Sequence, residues 1–176
     1  MNREDVLNFW FSEIEPRQHW KKDPQFDWLI GERFADIHAA AGRCELYGWR
    51  HEPAGRLAEI IILDQFSRNM FRGQPQSFAF DSLALALAQE AVAAGADRQL
   101  APHEVGFLYM PYMHSESPVI HQAAIKLFED TPNYEYELKH KAVIDRFGRY
   151  PHRNAILKRP STAEELEFLD GPNSSF

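Results

Sequence analysis

Three short stretches of the chain hold residue types able to do chemistry. The first is Asp64-Gln65-Phe66-Ser67-Arg68-Asn69-Met70-Phe71-Arg72. On a continuous helix, Asp64, Arg68 and Arg72 fall on one stripe at four-residue spacing, with Gln65 and Asn69 beside them. Buried charges require partners. The stretch therefore reads either as an internal Asp64–Arg68 ion pair with amides tying loops to the core, or as the polar lining of a cavity. The second stretch, Tyr109 to Glu116, carries a proline just ahead of His114, Ser115 and Glu116. His114 and Glu116 suit an acid/base pair, or else satisfy backbone groups around a bend. Ser115 suits a cap for the next helix, and the segment lacks the Gly-x-Ser-x-Gly turn of a hydrolase nucleophile.

The third stretch, Arg146 to Asn154, places Arg146, Arg149, His152, Arg153 and Asn154 around Gly148 and Pro151, and no Asp or Glu occurs from Arg146 to Arg159. Guanidinium groups bind carboxylates and phosphates through paired donors, and free amides at a restarted helix also favour an anion. The alternative is that these cations pair with the protein's own carboxylates.

Helices must position these residues. Val6, Leu7, Trp10 and Phe11 share one helical face near the N-terminus. Asp23-Pro24 reads as a cap and first helical position for a helix ending near Gly42. After Pro53, the run Leu57, Ile60, Ile61, Ile62, Leu63, Phe66 and Met70 is apolar on most sides, as expected of a central helix surrounded by others. A buried strand over Ile60–Ile62 is the competing reading, but no second strand-like segment offers it a partner. Asp81 is expected to cap a helix that stops at Gly95, and Pro102 to start another that Pro111 bends or ends. Ser117-Pro118 opens a helix to Phe128, Asn133 one to about Phe147, and Ser161-Thr162-Ala163-Glu164 reads as a capping box for a short closing helix. The expected organisation is one helical domain over residues 1–170 and a frayed tail over 171–176. No repeat is legible.

A chain of 176 residues suits one domain, and a globule of that length buries roughly 70% of its unfolded surface. Hydrophobic residues make up 44%, aromatics 13% and charged residues 26%, which fits a folded globule. The formal charge of −7 argues against nucleic-acid binding through the overall field. The single cysteine, Cys44, has no second thiol for a disulfide or a cysteine metal site, so a cytoplasmic location is expected. No apolar run approaches the ~20 residues of a membrane span.

Taken in order, FWF near the start, LDQFSRNMFRG, LYMPYMHSE and RFGRYPHRN resemble the characteristic segments of the bacterial domain-of-unknown-function 924 family, and the resemblance spans nearly the whole chain. Ser67 stands where that pattern commonly has proline, and Ser117 where an acid commonly follows HSE. The resemblance implies an all-α, compact multi-helix array of the tetratricopeptide-like superhelical class. It brings no reaction, cofactor or catalytic set. It does draw attention to Asp64, Gln65, Arg68, Asn69, Arg72, His114, Ser115, Glu116, Arg149, His152, Arg153 and Asn154.

Three functions remain in competition. The first is binding or sensing of a small phosphate- or carboxylate-bearing ligand by Arg68, Arg72, Arg149 and Arg153, which requires those residues to converge. The second is a hydrolase-type enzyme with His114 or His152 as acid or base, oriented by Glu116 or Asp64. The third is a peptide- or RNA-binding groove. No HExxH or paired-cysteine spacing supports a metal, and no cofactor is expected.

Overall fold

The computed structural model describes residues 1–172 and 174, and these are helices, turns and loops with no strand among them. The helices are α1 (Arg3–Asn8), α2 (Pro24–Gly42), α3 (Pro53–Ile61), α4 (Ser67–Met70), α5 (Asp81–Ala93), α6 (Pro102–Met113), α7 (Pro118–Phe128), α8 (Tyr134–Phe147) and α9 (Ala163–Leu169). The all-α architecture expected from the sequence is what the chain adopts.

Its centre is the segment from α3 to α4. Leu57, Ala58, Ile60, Ile61, Ile62, Leu63 and Phe66 are fully buried, because α1, α2, α5 and α6 surround the segment. The expected single helix is interrupted, since Ile62–Phe66 forms a π-helical turn between α3 and α4. A second π turn, Phe9–Glu13, follows α1. The two turns are tied by aromatic packing: Phe9 and Phe66 both lie against Phe34, at 4.8 and 4.7 Å between ring centres, and Trp10 meets Phe66 at 5.6 Å. Such ring pairs add about 0.5–1.5 kcal/mol each beyond the area they bury.

Local signals hold in places and shift in others. Asp23 caps α2 by accepting from the Gln25 and Phe26 amides, with Pro24 at the first helical position. Asp81 is not a cap, however. It is the first residue of α5, behind Phe80, and its carboxylate is used elsewhere. Pro111 does not end α6 at its own position, because the helix runs through it to Met113. The closing capping box is displaced by one residue: Thr162 and Glu165 exchange the two bonds at the start of α9. Ser117 precedes α7 without a side-chain cap bond, and its own amide donates to Ser115 Oγ at 3.2 Å.

Beyond the main core, α7 packs between α6 and α8, and a second apolar cluster of Val143, Ile144 and Tyr150 carries Phe147 and Phe168. Part of the expected frayed tail, residues 173, 175 and 176, lies outside the described residues. Ser174 donates its hydroxyl to the Leu169 carbonyl at 3.0 Å. No helix among the described residues is long and apolar enough to cross a membrane.

Two substitutions test this packing. Leu63→Ala removes a fully buried side chain and leaves a cavity, so chemical denaturation will show a loss of about 2–5 kcal/mol. Gly55 lies in the first turn of α3, where a Cβ would sit 2.0 Å from the Trp49 carbonyl oxygen. Gly55→Ala will cost about 1–3 kcal/mol in the same assay, despite alanine's better helix propensity, because backbone must move to admit the methyl group.

Candidate functional site

The π turn decides where the first polar stretch points. Asp64 and Gln65 lie within it and are buried against α6, while Arg68 belongs to α4. Asp64 Oδ2 accepts from Gln65 Nε2 at 2.6 Å, and that amide also reaches Met110 Sδ at 3.2 Å. Asp64 Oδ1 lies 2.7 Å from His114 Nδ1 and 3.1 Å from Arg68 Nη1. Burial, the largest single influence, would raise the Asp64 pKa, but the Arg68 charge, His114 and the Gln65 amide together outweigh it and hold this carboxyl well below the usual range. Burial lowers the His114 pKa, the Arg68 charge lowers it further, and Asp64 does not reverse the shift. His114 is therefore a neutral imidazole beside an ionised carboxylate at neutral pH. Its proton must sit on Nδ1, since Asp64 can only accept. Nε2, across the ring, is left as an acceptor.

Arg68 continues to a second carboxylate. It donates from Nη1 to Asp81 Oδ1 at 2.9 Å and from Nη2 to Asp81 Oδ2 at 3.1 Å, and Nη1 also reaches the Asp64 carbonyl at 3.0 Å. Burial disfavours the cation, yet Asp64 and Asp81 together move its pKa upward. Arg153 joins the same carboxylate, with Nη1 3.1 Å from Asp81 Oδ2 and Nη2 donating to the His114 carbonyl at 3.0 Å. Its guanidinium carbon lies 4.6 Å from the ring centres of both Phe78 and Tyr150. Burial and the neighbouring Arg68 charge lower its pKa, and its Nε is buried with no hydrogen-bond partner among the described residues.

Of the stretches singled out from the sequence, the first and third thus meet at Asp81, and the second closes the site through His114. Not every residue in them converges. Arg72 forms a two-bond pair with Asp27 of α2, at 2.6 and 2.7 Å, and Asn69 donates to the same carboxylate at 2.8 Å. Arg149 pairs with Glu165 of α9 at 2.6 and 2.8 Å. Glu116 accepts two bonds from Arg159 and one from the Tyr150 amide, contacts that overcome its burial and lower its pKa. Asn154 is buried between Arg159 and Ser161. The His152 pKa is depressed to about 4, first by burial and then by Arg153. The arginines expected to gather around one external anion are distributed among internal carboxylates.

An open cleft of about 320 Å³ adjoins this network. Phe78, Leu85 and Leu157 give it apolar wall, and Asp81, His114, Glu116 and Arg153 give it polar wall. Sequence reasoning missed Asp81 as a site residue, taking it for a cap, and did not reach Phe78, Tyr150 or Arg159. The only signal was the acid-free run after Arg146, whose cations had to find carboxylates elsewhere in the chain.

Behind His114 lies a second histidine–carboxylate pair that the sequence did not announce. His121 and Glu137 are both fully buried, with Nδ1 2.6 Å from Oε1, while His121 Nε2 lies 2.9 Å from the Ser115 carbonyl. The Tyr150 hydroxyl donates to the Met113 carbonyl at 2.5 Å. Burial raises the Glu137 pKa, with His121 opposing.

A family model described as bacterial proteins of unknown function, DUF924, matches residues 6–173. The solved structure of a protein of unknown function from Agrobacterium tumefaciens is similar throughout, with a TM-score of 0.92 at 37% sequence identity, over 96% of this chain and 97% of that one. The comparison with curated proteins returns no match.

Burial of neutral histidines makes stability pH-dependent. The His140 pKa is depressed to about 3, mainly by burial, from an unfolded value near 6.5. Its contribution is complete above pH ~6.5 and is lost as pH falls toward the folded value, because the unfolded chain binds the proton more readily. Denaturation curves at pH 7.5 and 5 will show the wild type losing roughly 2 kcal/mol more than His140→Gln over that interval.

Proposed function

The chain belongs to the DUF924 family, and for this member we propose that the cleft is a small-molecule site at which His114 acts as a general acid/base. Asp64 is the group that orients it. One observation carries the reading: His114 lies on the cleft wall with its Nδ1 held by a buried, ionised carboxylate, and its Nε2 on the other edge has no hydrogen-bond partner among the described residues. That division of roles, a carboxylate fixing tautomer and ring orientation while the far nitrogen takes a proton, is what an acid/base histidine requires. Arg153 lines the cleft and, with Arg68, neutralises the Asp81 carboxylate there. A hydrolase-type reaction fits this set. Ser115 Oγ accepts from the Ser117 amide and is not assigned a nucleophilic role.

The alternative of binding or sensing an anion rests on Arg153, whose buried Nε–H lacks a partner among the described residues. It is the weaker reading, because Arg68, Arg72 and Arg149 already have carboxylate partners. Pairwise packing of the consecutive helices α5 to α8 supports a tetratricopeptide-like array, and the exposed free thiol of Cys44 suits the reducing cytoplasm. An RNA or peptide partner has no comparable support.

Two measurements test the acid/base assignment. In histidine-selective ¹⁵N NMR at pH 7, His114 will appear neutral with its proton on Nδ1. An imidazolium, or a proton on Nε2, would remove the basis of the reading. Against panels of chromogenic esters, amides, phosphoesters and glycosides, any turnover by the wild type will fall about 10²–10⁴-fold in His114→Gln, the usual worth of a positioned acid/base group.

A further inference from the structure

The hydrogen-bonding capacity left unspent around the cleft restricts what can bind there. A carboxylate offers about four acceptor positions on its two oxygens. At Asp81, Oδ2 accepts from both Arg68 and Arg153, whereas Oδ1 accepts from Arg68 alone. At Glu116, Oε1 accepts from the Tyr150 amide and Arg159, whereas Oε2 accepts from Arg159 alone. One acceptor position therefore remains on Oδ1 of Asp81 and one on Oε2 of Glu116. His114 Nε2 supplies a third.

Charged donors are scarcer at the surface of the cleft, where the hydroxyls of Ser82 and Ser115 are uncharged ones. The side chains of Asp81, Glu116 and His114 retain 18%, 26% and 16% of their exposure, whereas Arg153 retains only 7% and its unpaired Nε is covered. Charge is balanced too. Arg68, Arg153 and Arg159 face Asp64, Asp81 and Glu116, three against three, with His114 neutral. Phosphate or carboxylate entering here would meet guanidinium groups already engaged and carboxylate oxygens exposed, and a cation would meet no net negative charge. A single metal ion is also a poor fit, since among the described residues no three of His, Cys, Asp and Glu converge closely enough to hold one.

We infer that the cleft takes an uncharged, polyhydroxylated small molecule, whose hydroxyl groups donate to Asp81, Glu116 and Nε2 of His114 while its carbon skeleton lies on Phe78, Leu85 and Leu157. This deepens the acid/base reading and rests on the cleft being its site. Separated acceptors beside an apolar wall match a molecule that carries hydroxyls along one edge and C–H groups along the other. A hydroxyl donating to Nε2 also brings an exchangeable proton to the group proposed to remove it.

The test uses the full chain, with the His114 ring signals as reporter, assigned by their loss in His114→Gln. Myo-inositol, inorganic phosphate and ethylammonium serve as neutral, anionic and cationic probes. Myo-inositol will shift the His114 signals saturably, and the other two will leave them in place. Ala79→Trp, at the exposed rim of the cleft, will weaken the inositol response at least about tenfold, a difference of about 1.4 kcal/mol, with an unchanged circular dichroism spectrum. A response to phosphate or ethylammonium without inositol, or to none of the three, overturns the inference. So does an inositol response that survives in Ala79→Trp, which marks an adventitious additive only. Any of these with His114 still neutral and protonated on Nδ1 leaves the acid/base reading standing, so the two failures are distinguishable.

Discussion

The Asp81 carboxylate stands between the guanidinium groups of Arg68 and Arg153 and is accepted into the fold by both. Two buried cations cannot share a small volume without an anion between them, since Coulomb repulsion is little screened away from water. The N-terminus of α5, the short helix α4 and the turn at Pro151–Arg153 are therefore fastened at one point. Arg153 extends the fastening to α6 by donating to the His114 carbonyl. Removing this one carboxylate would leave both arginines buried and under-compensated, a larger penalty than the loss of an exposed ion pair. The cleft exists where it does because these elements meet there.

The π turn at Ile62–Phe66 is the second constraint. A turn with one extra residue rotates the helix after it relative to the helix before it, and such insertions recur at functional sites. Here Asp64 and Arg68 keep their four-residue ion pair across the turn, at 3.1 Å, and Arg72 lies beyond the end of α4 at Met70. Asp64 turns inward to His114, Arg68 to Asp81, and Arg72 leaves the stripe for Asp27 on α2. The aromatic contacts between Phe66, Phe34 and Phe9 hold the distorted segment in place, so apolar packing maintains a backbone irregularity that hydrogen bonding alone would not favour.

Legibility tracked the range of the interaction. The helices read well because apolar spacing and cap residues are local, as at Asp23-Pro24 and through the buried run from Leu57 to Phe66. Asp64, Arg68, His114 and Arg153 could be picked out because polar residues at the ends of apolar helices need partners. The Asp64–Arg68 ion pair was readable from its four-residue spacing and is present at 3.1 Å, but the distant partners were not. Asp81 lies 13 residues from Arg68 and 72 from Arg153, and before a string of helix formers an aspartate looks like a cap. Neither the π turn nor the end of α4 at Met70 had a signature in residue types, so the stripe seemed to continue to Arg72. Pro111 misled in the opposite direction. With its surroundings wholly buried, tertiary packing kept α6 helical through the position where a local rule would end it.

The buried pair of His121 and Glu137 yields to proton counting. Ser115's carbonyl can only accept, so at 2.9 Å the His121 Nε2 must carry a hydrogen. In the neutral ring Nδ1 is then a lone pair, which cannot approach an ionised carboxylate at 2.6 Å without repulsion. One proton must lie between Nδ1 and Oε1, whichever atom holds it, and the pair is neutral as a whole. A carboxyl pKa raised by burial is consistent with a proton retained there. The pair thus offers a donor to the end of α6 without placing net charge in the core. Together with the Tyr150 hydroxyl on the Met113 carbonyl, it fixes the backbone on both sides of His114. The orientation of that imidazole is consequently set twice, by Asp64 at the ring and by His121 and Tyr150 through the chain that carries it.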